Sequence, residues 1–371
     1  MAATKPVAGL LGVLAAGGAA ATDLPEDRAE AMYHVYDGGG VTAKGPALLV
    51  RKSLADKVSV SASYYVDAVS NASIDVVTTA SPFKETRKAY ELGADYVVRD
   101  TLMSLSVYKS DEPDYQADSV GVDVAQEIFG GMTTVSLGYS RALDQVGKKD
   151  LGFFDTARHW NYRLGVTQIL TPAWLMSVNA EGIADEGFLG SPYRVARVFG
   201  AAVPERNPRT RSSRAVKLRV IGDIGERRSV RAEYRYFWDT WDIHAHTVEV
   251  GHSRYIDVPG GNPGAASGDK KLLVDGFLRF YSQNSALFYS DNASSETEFV
   301  SRNRQLSRFN SLSVGGRLSY TLAQVPGQYE VKANGAYEFK RFDYKDFTDL
   351  RTGSPFAFNA HLLQVYVSAT F

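Results

Sequence analysis

Along most of the chain, apolar and polar residues alternate with a period of two, the mark of a strand with one apolar and one polar face. In KVSVSASYYVDAVS, Val58, Val60, Ala62, Tyr64 and Val66 share one side, and Ser59, Ser61, Ser63, Tyr65 and Asp67 share the other. SVRAEYRYFWD sets Val230, Ala232, Tyr234, Tyr236 and Trp238 against Arg231, Glu233, Arg235 and Asp239. YEVKANGAYEFKR sets Val331, Ala333, Tyr337 and Phe339 against Glu330, Lys332, Asn334, Glu338 and Lys340. HLLQVYVSATF continues the pattern through Leu363, Val365, Val367 and Ala369 to Phe371.

Placing every such run predicts strands near 30–37, 41–52, 57–69, 87–98, 101–110, 116–129, 132–143 and 158–170. The second half adds 173–183, 212–223, 228–239, 243–254, 271–283, 309–322, 329–341 and 357–371. These are about sixteen strands of roughly ten residues, the length that crosses a bilayer at a tilt. Short connections at 323–328, 224–227, 171–172, 130–131, 99–100 and 53–56 alternate with longer ones at 342–356, 284–308, 184–211, 144–157 and 70–86. Two places resist: 240–242 is short where a long loop is expected, and 255–270 is long where a turn is expected. No linker divides the chain, so one domain over 22–371 follows.

Alternation alone also describes soluble β-sandwiches. Sandwich strands are commonly about 5–6 residues, and these are nearly twice that. Their polar faces carry full charges at mid-strand, which a sandwich core rejects and a wet lumen accepts. Aromatics lie towards the ends of the apolar faces, as in Trp174, Tyr234, Trp238, Tyr320 and Tyr337, where a membrane barrel has its girdles. In hydrocarbon an open sheet edge is intolerable, so the strands must close on themselves. The predicted fold is all-β: a transmembrane antiparallel β-barrel.

Composition narrows the setting. Apolar content of 44% and aromatic content of 12% suffice for a folded chain, and cysteine is absent. A net charge of −1 removes the basic excess that nucleic-acid binding needs. The start, MAATKPVAGLLGVLAAGGAAATD, has Lys5, an apolar stretch and the small residues Ala19, Ala20 and Ala21, so a signal peptide over 1–21 is expected. An exported chain without apolar helical spans, ending in an alternating strand on Phe371, fits the outer membrane of a Gram-negative bacterium. Phe371 with its alternation resembles the carboxyl-terminal signal read by the barrel assembly machinery. Expected partners are therefore that machinery and outer-membrane lipid and lipopolysaccharide.

The densest candidate chemistry lies on the inward face of four successive strands. Lys217, Arg219, Arg231, Arg235 and Arg279 are interspersed there with Glu233, Asp239, Glu249 and Asp275. Such a wall either sets a transverse field that selects among charged solutes or pairs off into a salt-bridge lattice. Near-complete pairing leaves little field, which favours the lattice. HAHTVEVGH places His244, His246 and His252 on the lipid-facing side, with no carboxylate beside them to complete a metal set. SDEPDY offers Asp111, Glu112 and Asp114 as oxygen ligands for calcium, or as an ordinary acidic turn. VPERNPRTRSSR holds Arg206, Arg209, Arg211 and Arg214, which could meet lipopolysaccharide, fold inward or stay solvated. No hydrolase, metalloprotease or phosphate-loop motif is legible, so neither enzymatic activity nor a cofactor is expected.

Four segments carry a family resemblance: YYVDAVSNASIDVVTTASPFKETRKAYELGADY, SDEPDYQADSV, YRYFWDTWDIHAHTVEVG and NRQLSRFNSLSVG. They resemble the bacterial family catalogued as domain of unknown function 3570, and they span most of the chain beyond the signal. The resemblance implies an outer-membrane location and carries no activity or catalytic residues; it also suggests a place in envelope electron transfer. Two functions stand: a porin-like channel for small solutes, or a non-conducting sheath seating a periplasmic or lipoprotein partner.

Overall fold

The computed structural model describes residues 23–71, 83–148, 152–258 and 271–371; the expected signal peptide lies outside them. The strands are β1 (Arg28–Gly38), β2 (Val41–Ala55), β3 (Val58–Asn71), β4 (Phe83–Val98), β5 (Thr101–Glu112) and β6 (Tyr115–Ile128). They continue as β7 (Thr133–Lys148), β8 (Phe153–Thr171), β9 (Trp174–Gly187), β10 (Val195–Val198), β11 (Ala201–Pro204) and β12 (Thr210–Asp223). The chain completes with β13 (Arg228–Asp239), β14 (His244–Asp257), β15 (Lys271–Gln283), β16 (Phe309–Val325), β17 (Tyr329–Asp349) and β18 (Ser354–Thr370). All but β10 and β11 form one closed antiparallel barrel, in which each strand pairs with its barrel neighbours in chain order and β18 returns to β1.

Closure follows from the two-faced strands. Leu48 and Val50 of β2, Tyr90 and Leu92 of β4, and Val365 and Val367 of β18 all stand exposed on the outer wall. A continuous apolar belt of this kind suits hydrocarbon and is foreign to a soluble monomer. The predicted girdle residues Trp174, Tyr234 and Tyr337 stand on the same side, exposed. Trp174 lies flat over Gly222, where an added Cβ would stand 2.5 Å from the indole. The inward positions carry Ser59, Tyr65, Asp67 and Asp95, all buried.

The seam runs from Arg28↔Thr370 to Gly38↔Ala360. At its foot the Phe371 amide donates to the Asp27 carbonyl at 3.0 Å. Lys52 donates to the Asp27 carboxylate, and its Nζ stands 4.9 Å from the Phe371 ring centroid. The hydrogen bond from Lys52, supported by Ser53, holds the Asp27 carboxyl down at about 2. Elsewhere β2 carries a proline, Pro46, which has no N–H to give to the ladder; pairing with β3 skips from Lys44 to Ala47.

Every predicted barrel strand is present, and the two resisting connections keep the alternation. Residues 240–243 join β13 to β14 at the end that carries the long loops. β14 ends at Asp257 and β15 begins at Lys271 at the end that carries the tight turns, and most of the long connection expected between them lies outside the described residues. What periodicity missed is at the loop end. The expected loop 342–356 is largely strand, because β17 runs to Asp349 and β18 starts at Ser354. Likewise β7 and β8 extend to Lys148 and from Phe153, taking up most of 144–157. The loop 184–211 contains the β10–β11 hairpin, paired from Val195↔Pro204 to Val198↔Ala201.

Candidate functional site: the lumen wall and its cap

The predicted lumen-lining residues all point inward, and eight of the nine are ion-paired. Arg231 bonds Asp275 and lies 3.3 Å from Glu249. Arg279 is 2.7 Å from Glu249 and 3.6 Å from Glu338 of β17. Lys217 stands 3.8 Å from Glu233, and Arg235 stands 3.3 Å from Glu181 of β9. Asp239 is fully buried against Arg211, whose guanidinium also sits 4.5 Å from the Trp241 ring. Arg219 makes no ion pair among the described residues.

The lattice reaches further round the barrel than the four strands singled out by sequence. Arg163 of β8 meets Asp123 of β6 in a forked pair at 2.8 and 2.9 Å. Asn161 donates to Glu181 at 2.8 Å. His34 lies 2.7 Å from Asp67, and His159 lies between Asp185 at 2.6 Å and Asp144 at 3.0 Å. Glycine makes two of these pairs possible. Gly138 of β7 stands in register between Asp123 and Arg163, and an added Cβ would be 2.2 Å from the carboxylate and 2.7 Å from the guanidinium. Gly251 of β14 underlies Arg231 in the same way, with an added Cβ 2.3 Å from its Cζ. Absence of a side chain lets partners on alternate strands join over the strand between them.

Around the Arg163 pair the wall opens into a recess of about 350 Å³, lined by Asp123, Arg163, Asn179, Glu181, Lys217 and Arg235 among others. Its ions remain wet: Asp123 is 48% and Arg163 40% exposed. Towards the loop end exposure falls away, as at Asp67 and Asp144.

The loop end is spanned by two connections that pack together. Residues 284–308 lie within the mouth, where Ala286 and Leu306 pack with Trp241 and Ile243. The β10–β11 hairpin rests on the same loop through Ala196, Val198 and Val300. Bridges Val198↔Ala293 and Arg206↔Val300 tie the two. One flank is anchored on an inward aromatic cluster of Phe309, Tyr344, Phe347 and Phe356. Arg302 stacks 4.3 Å over Phe347 and donates to the Thr348 carbonyl at 2.6 Å. Tyr289 donates to the Asp346 carbonyl at 2.9 Å, and burial raises its hydroxyl pKa above the ordinary value. The other flank reaches the β5–β6 turn, where Tyr193 donates to Asp114, and the end of β7, where Lys148 donates to the Pro192 carbonyl at 3.2 Å. The strap therefore joins walls on nearly opposite sides of the barrel.

Three sequence candidates resolve differently. His244 and His246 face outward, with their Nδ1 atoms 2.7 and 2.8 Å from the Tyr236 and Tyr234 hydroxyls. Asp111 and Glu112 fall on opposite faces of β5, and Asp114 serves Tyr193, so the acidic turn does not gather a ligand set. The arginine-rich loop is dispersed: Arg206 pairs with Glu296 at 3.4 Å, Arg209 forks onto Asp155 at 2.8 and 2.9 Å, and Arg211 turns inward. Only Arg214 of the four faces outward without an ion pair to a described residue. The cap itself escaped sequence reading. Its one local signal, the aromatic run in β17 and β18, breaks the polar character of the inward face near the loops.

The chain matches the profile of the family described as "Protein of unknown function (DUF3570)" over residues 74–152 and 154–340. No curated protein matches it. Among solved structures it is similar to a bacterial polysaccharide outer membrane secretin, with a TM-score of 0.49 at 8% identity over 94% of this chain and 99% of that one. OmpT, an outer membrane protein of Vibrio cholerae, aligns with a TM-score of 0.46 at 9% identity over 92% and 96%. The outer membrane protein opdK from Pseudomonas aeruginosa aligns with a TM-score of 0.42 at 11% identity over 93% and 98%. At such identities the likeness is one of fold.

Proposed function

The chain belongs to the family of proteins of unknown function (DUF3570), and from its own geometry we propose that it is a conduit for small solutes across the outer membrane of a Gram-negative bacterium. The loop end faces outside and the turn end faces the periplasm, as the asymmetry of connection lengths favours. The observation that carries this reading is the wet midsection. Ion pairs at the recess keep about a quarter to a half of their side chains exposed although they line an enclosed wall, with Lys217 at 36% and Arg235 at 33%. Side chains packed as a plug would bury them. A barrel of sixteen strands is wide enough for an aqueous channel.

The strap then sets the entrance, and solutes pass where it leaves the mouth open. The paired wall is close to neutral, so selection by net charge is weak and selection by size dominates. Reconstitution in planar bilayers tests this. Stepwise conductance with a cation-to-anion permeability ratio near unity is expected. Folded protein that stays electrically silent, even after the strap is released by substitution at Phe347, overturns it and leaves a sheath for a periplasmic or lipoprotein partner as the better reading.

A further inference from the structure

On the outer wall at the loop end, one sector departs from the apolar belt. Arg141 of β7, Arg158 of β8 and Arg214 of β12 all face outward and exposed, among Leu137, Tyr139, Tyr162 and Val216. None makes an ion pair with a described residue. Some outward charges elsewhere are matched, as where Lys109 lies 3.8 Å from Asp118 and Arg341 lies 3.1 Å from Asp343, while Lys44 and Lys88 stand singly; three unpaired arginines gather only here among the described residues. A bare guanidinium beside hydrocarbon is costly unless an anion or water meets it.

The register arranges the sector as a seat. Arg141 stands directly opposite Trp160, and Arg214 directly opposite Trp238. Between them β8 presents Trp160 and Tyr162 and β9 presents Gly182 and Ala184 at this level, and a Cβ at Gly182 would meet nothing within 4 Å. The result is a shallow recess one strand wide over β9, bordered by Trp160 and Tyr162 of β8 on one side and by Arg214 on the other, with Arg141 standing beyond Trp160. Three strand spacings separate the two arginine backbones, on the order of 15 Å, a gap that two extended side chains narrow from either side. Tyr139 and Tyr162, 5.3 Å apart, and the stacked pair Tyr236 and Trp238 mark the level where an aromatic girdle meets headgroups. Glu186 faces Arg158 across β8 and β9 without closing to ion-pair distance, so Arg141 and Arg214 are the principal donors.

We propose that this recess binds a phosphorylated glycolipid of the outer leaflet, of the lipid A type. Its phosphates lie against Arg141 and Arg214, its sugars cover Gly182 and Ala184, and its acyl chains run down the apolar wall between Val166 and Val216. Forked arginine–phosphate contacts supply the affinity, and the flanking aromatics fix the depth. The proposal rests on the loop end facing outside but not on conduction, so a silent barrel leaves it intact.

Native mass spectrometry of protein extracted in mild detergent from a lipopolysaccharide-producing host tests it. Wild type should carry lipid A, and R141Q/R214Q should retain at least about tenfold less, from two lost charge-assisted contacts. K109Q should match wild type, because that lysine is already paired. Folding of each variant is checked by its heat-dependent shift on denaturing gels. If the double variant fails to fold, R214Q alone is compared with wild type for retention. Refolded wild type offered lipid A or phosphatidylglycerol should prefer the former. Equal uptake of both means general anion attraction and overturns the proposal, as does unchanged retention in the variants or wild type extracted without glycolipid.

Discussion

Asp275→Asn isolates the energetic weight of the lattice. Asp275 accepts from Arg231 through both oxygens, one contact at 3.2 Å, and also from Ser253. Asparagine keeps the shape and an acceptor oxygen while removing the charge. Arg231 and Asp275 are each only 18% exposed, so Arg231 would keep Glu249 at 3.3 Å as its single, shared counter-charge. Breaking a fully buried pair costs about 3–5 kcal/mol. Hydrogen bonds to charged groups contribute about 1.5–3 kcal/mol. With a wet lumen on one side the lower range applies, so a loss of about 1.5–3 kcal/mol is expected. Asp123→Asn removes a pair in which one guanidinium nitrogen of Arg163 meets both carboxylate oxygens; its partners are nearly half exposed, so about 0–1 kcal/mol is expected there.

The assay is urea-induced unfolding of vesicle-inserted protein, followed by fluorescence of the four tryptophans and by the gel-mobility shift. The double variant R231M/D275N supplies the control. With both members gone, Glu249 retains Arg279 at 2.7 Å, so part of the single-variant loss should return. If Asp123→Asn destabilises as much as Asp275→Asn, exposure does not govern these pairs and the ranking of dry against wet lattice is wrong. If the double variant is simply additive, Arg231 and Asp275 are not coupled as their geometry requires.

Other substitutions probe the remaining parts. Gly138→Ala places a Cβ 2.2 Å from Asp123 and 2.7 Å from Arg163, both movable side-chain ends; stability should fall by less than about 1 kcal/mol while the forked pair separates and single-channel conductance changes. A loss of several kcal/mol would mean that the backbone, not the pair, meets the methyl. Phe347→Ala empties a site of 0% exposure beneath Arg302, at a cost of about 3–5 kcal/mol falling on the strap. Protease cutting within 284–308 should then rise while the barrel still shows its gel shift, and unchanged protection would refute the anchoring role. Asp27 has a folded pKa near 2 against an ordinary 3.8, so its stabilising effect is complete above about pH 4 and is lost as pH falls through about 2. Amide exchange at the β1–β18 seam should accelerate at the acid end of that window in wild type, and Asp27→Asn should show the faster rate at neutral pH as well.

Strand identity and facing were legible because the two solvents of a barrel sort side chains at every second position. The alternation in 228–239 fixed Arg231, Glu233, Arg235 and Asp239 on one wall before any pairing was known, and the register keeps them there. Pairing itself was less legible. Glu181, Asp123 and Arg163 join the lattice from strands outside the four singled out, Glu338 lies on a polar face already read but with no partner assigned, and nothing local in NAEGIADEG marks Glu181 as the partner of Arg235. The strap was illegible for a stronger reason. Its contacts are between loops and the inward ends of distant strands, and residues such as Val300 and Ala196 carry no period that distinguishes a packed loop from a solvated one.

One pattern could have been read and connects these levels. An inward glycine at mid-strand is poor in strand propensity, and the wall uses it as a crossing point. Asp123, Gly138 and Arg163 align across three strands, and Arg231 passes over Gly251 towards Asp275. Acid and base on alternate strands with glycine between them is therefore a sequence-level sign of a lattice that spans the intervening strand. It also explains how the wall pairs its charges while staying thin. A side chain at either glycine would lift the pair into the lumen, narrowing the passage and separating the ions. The recess beside Gly138 and Gly165 exists because those positions are empty, so the same residues that neutralise the wall also leave room for solute.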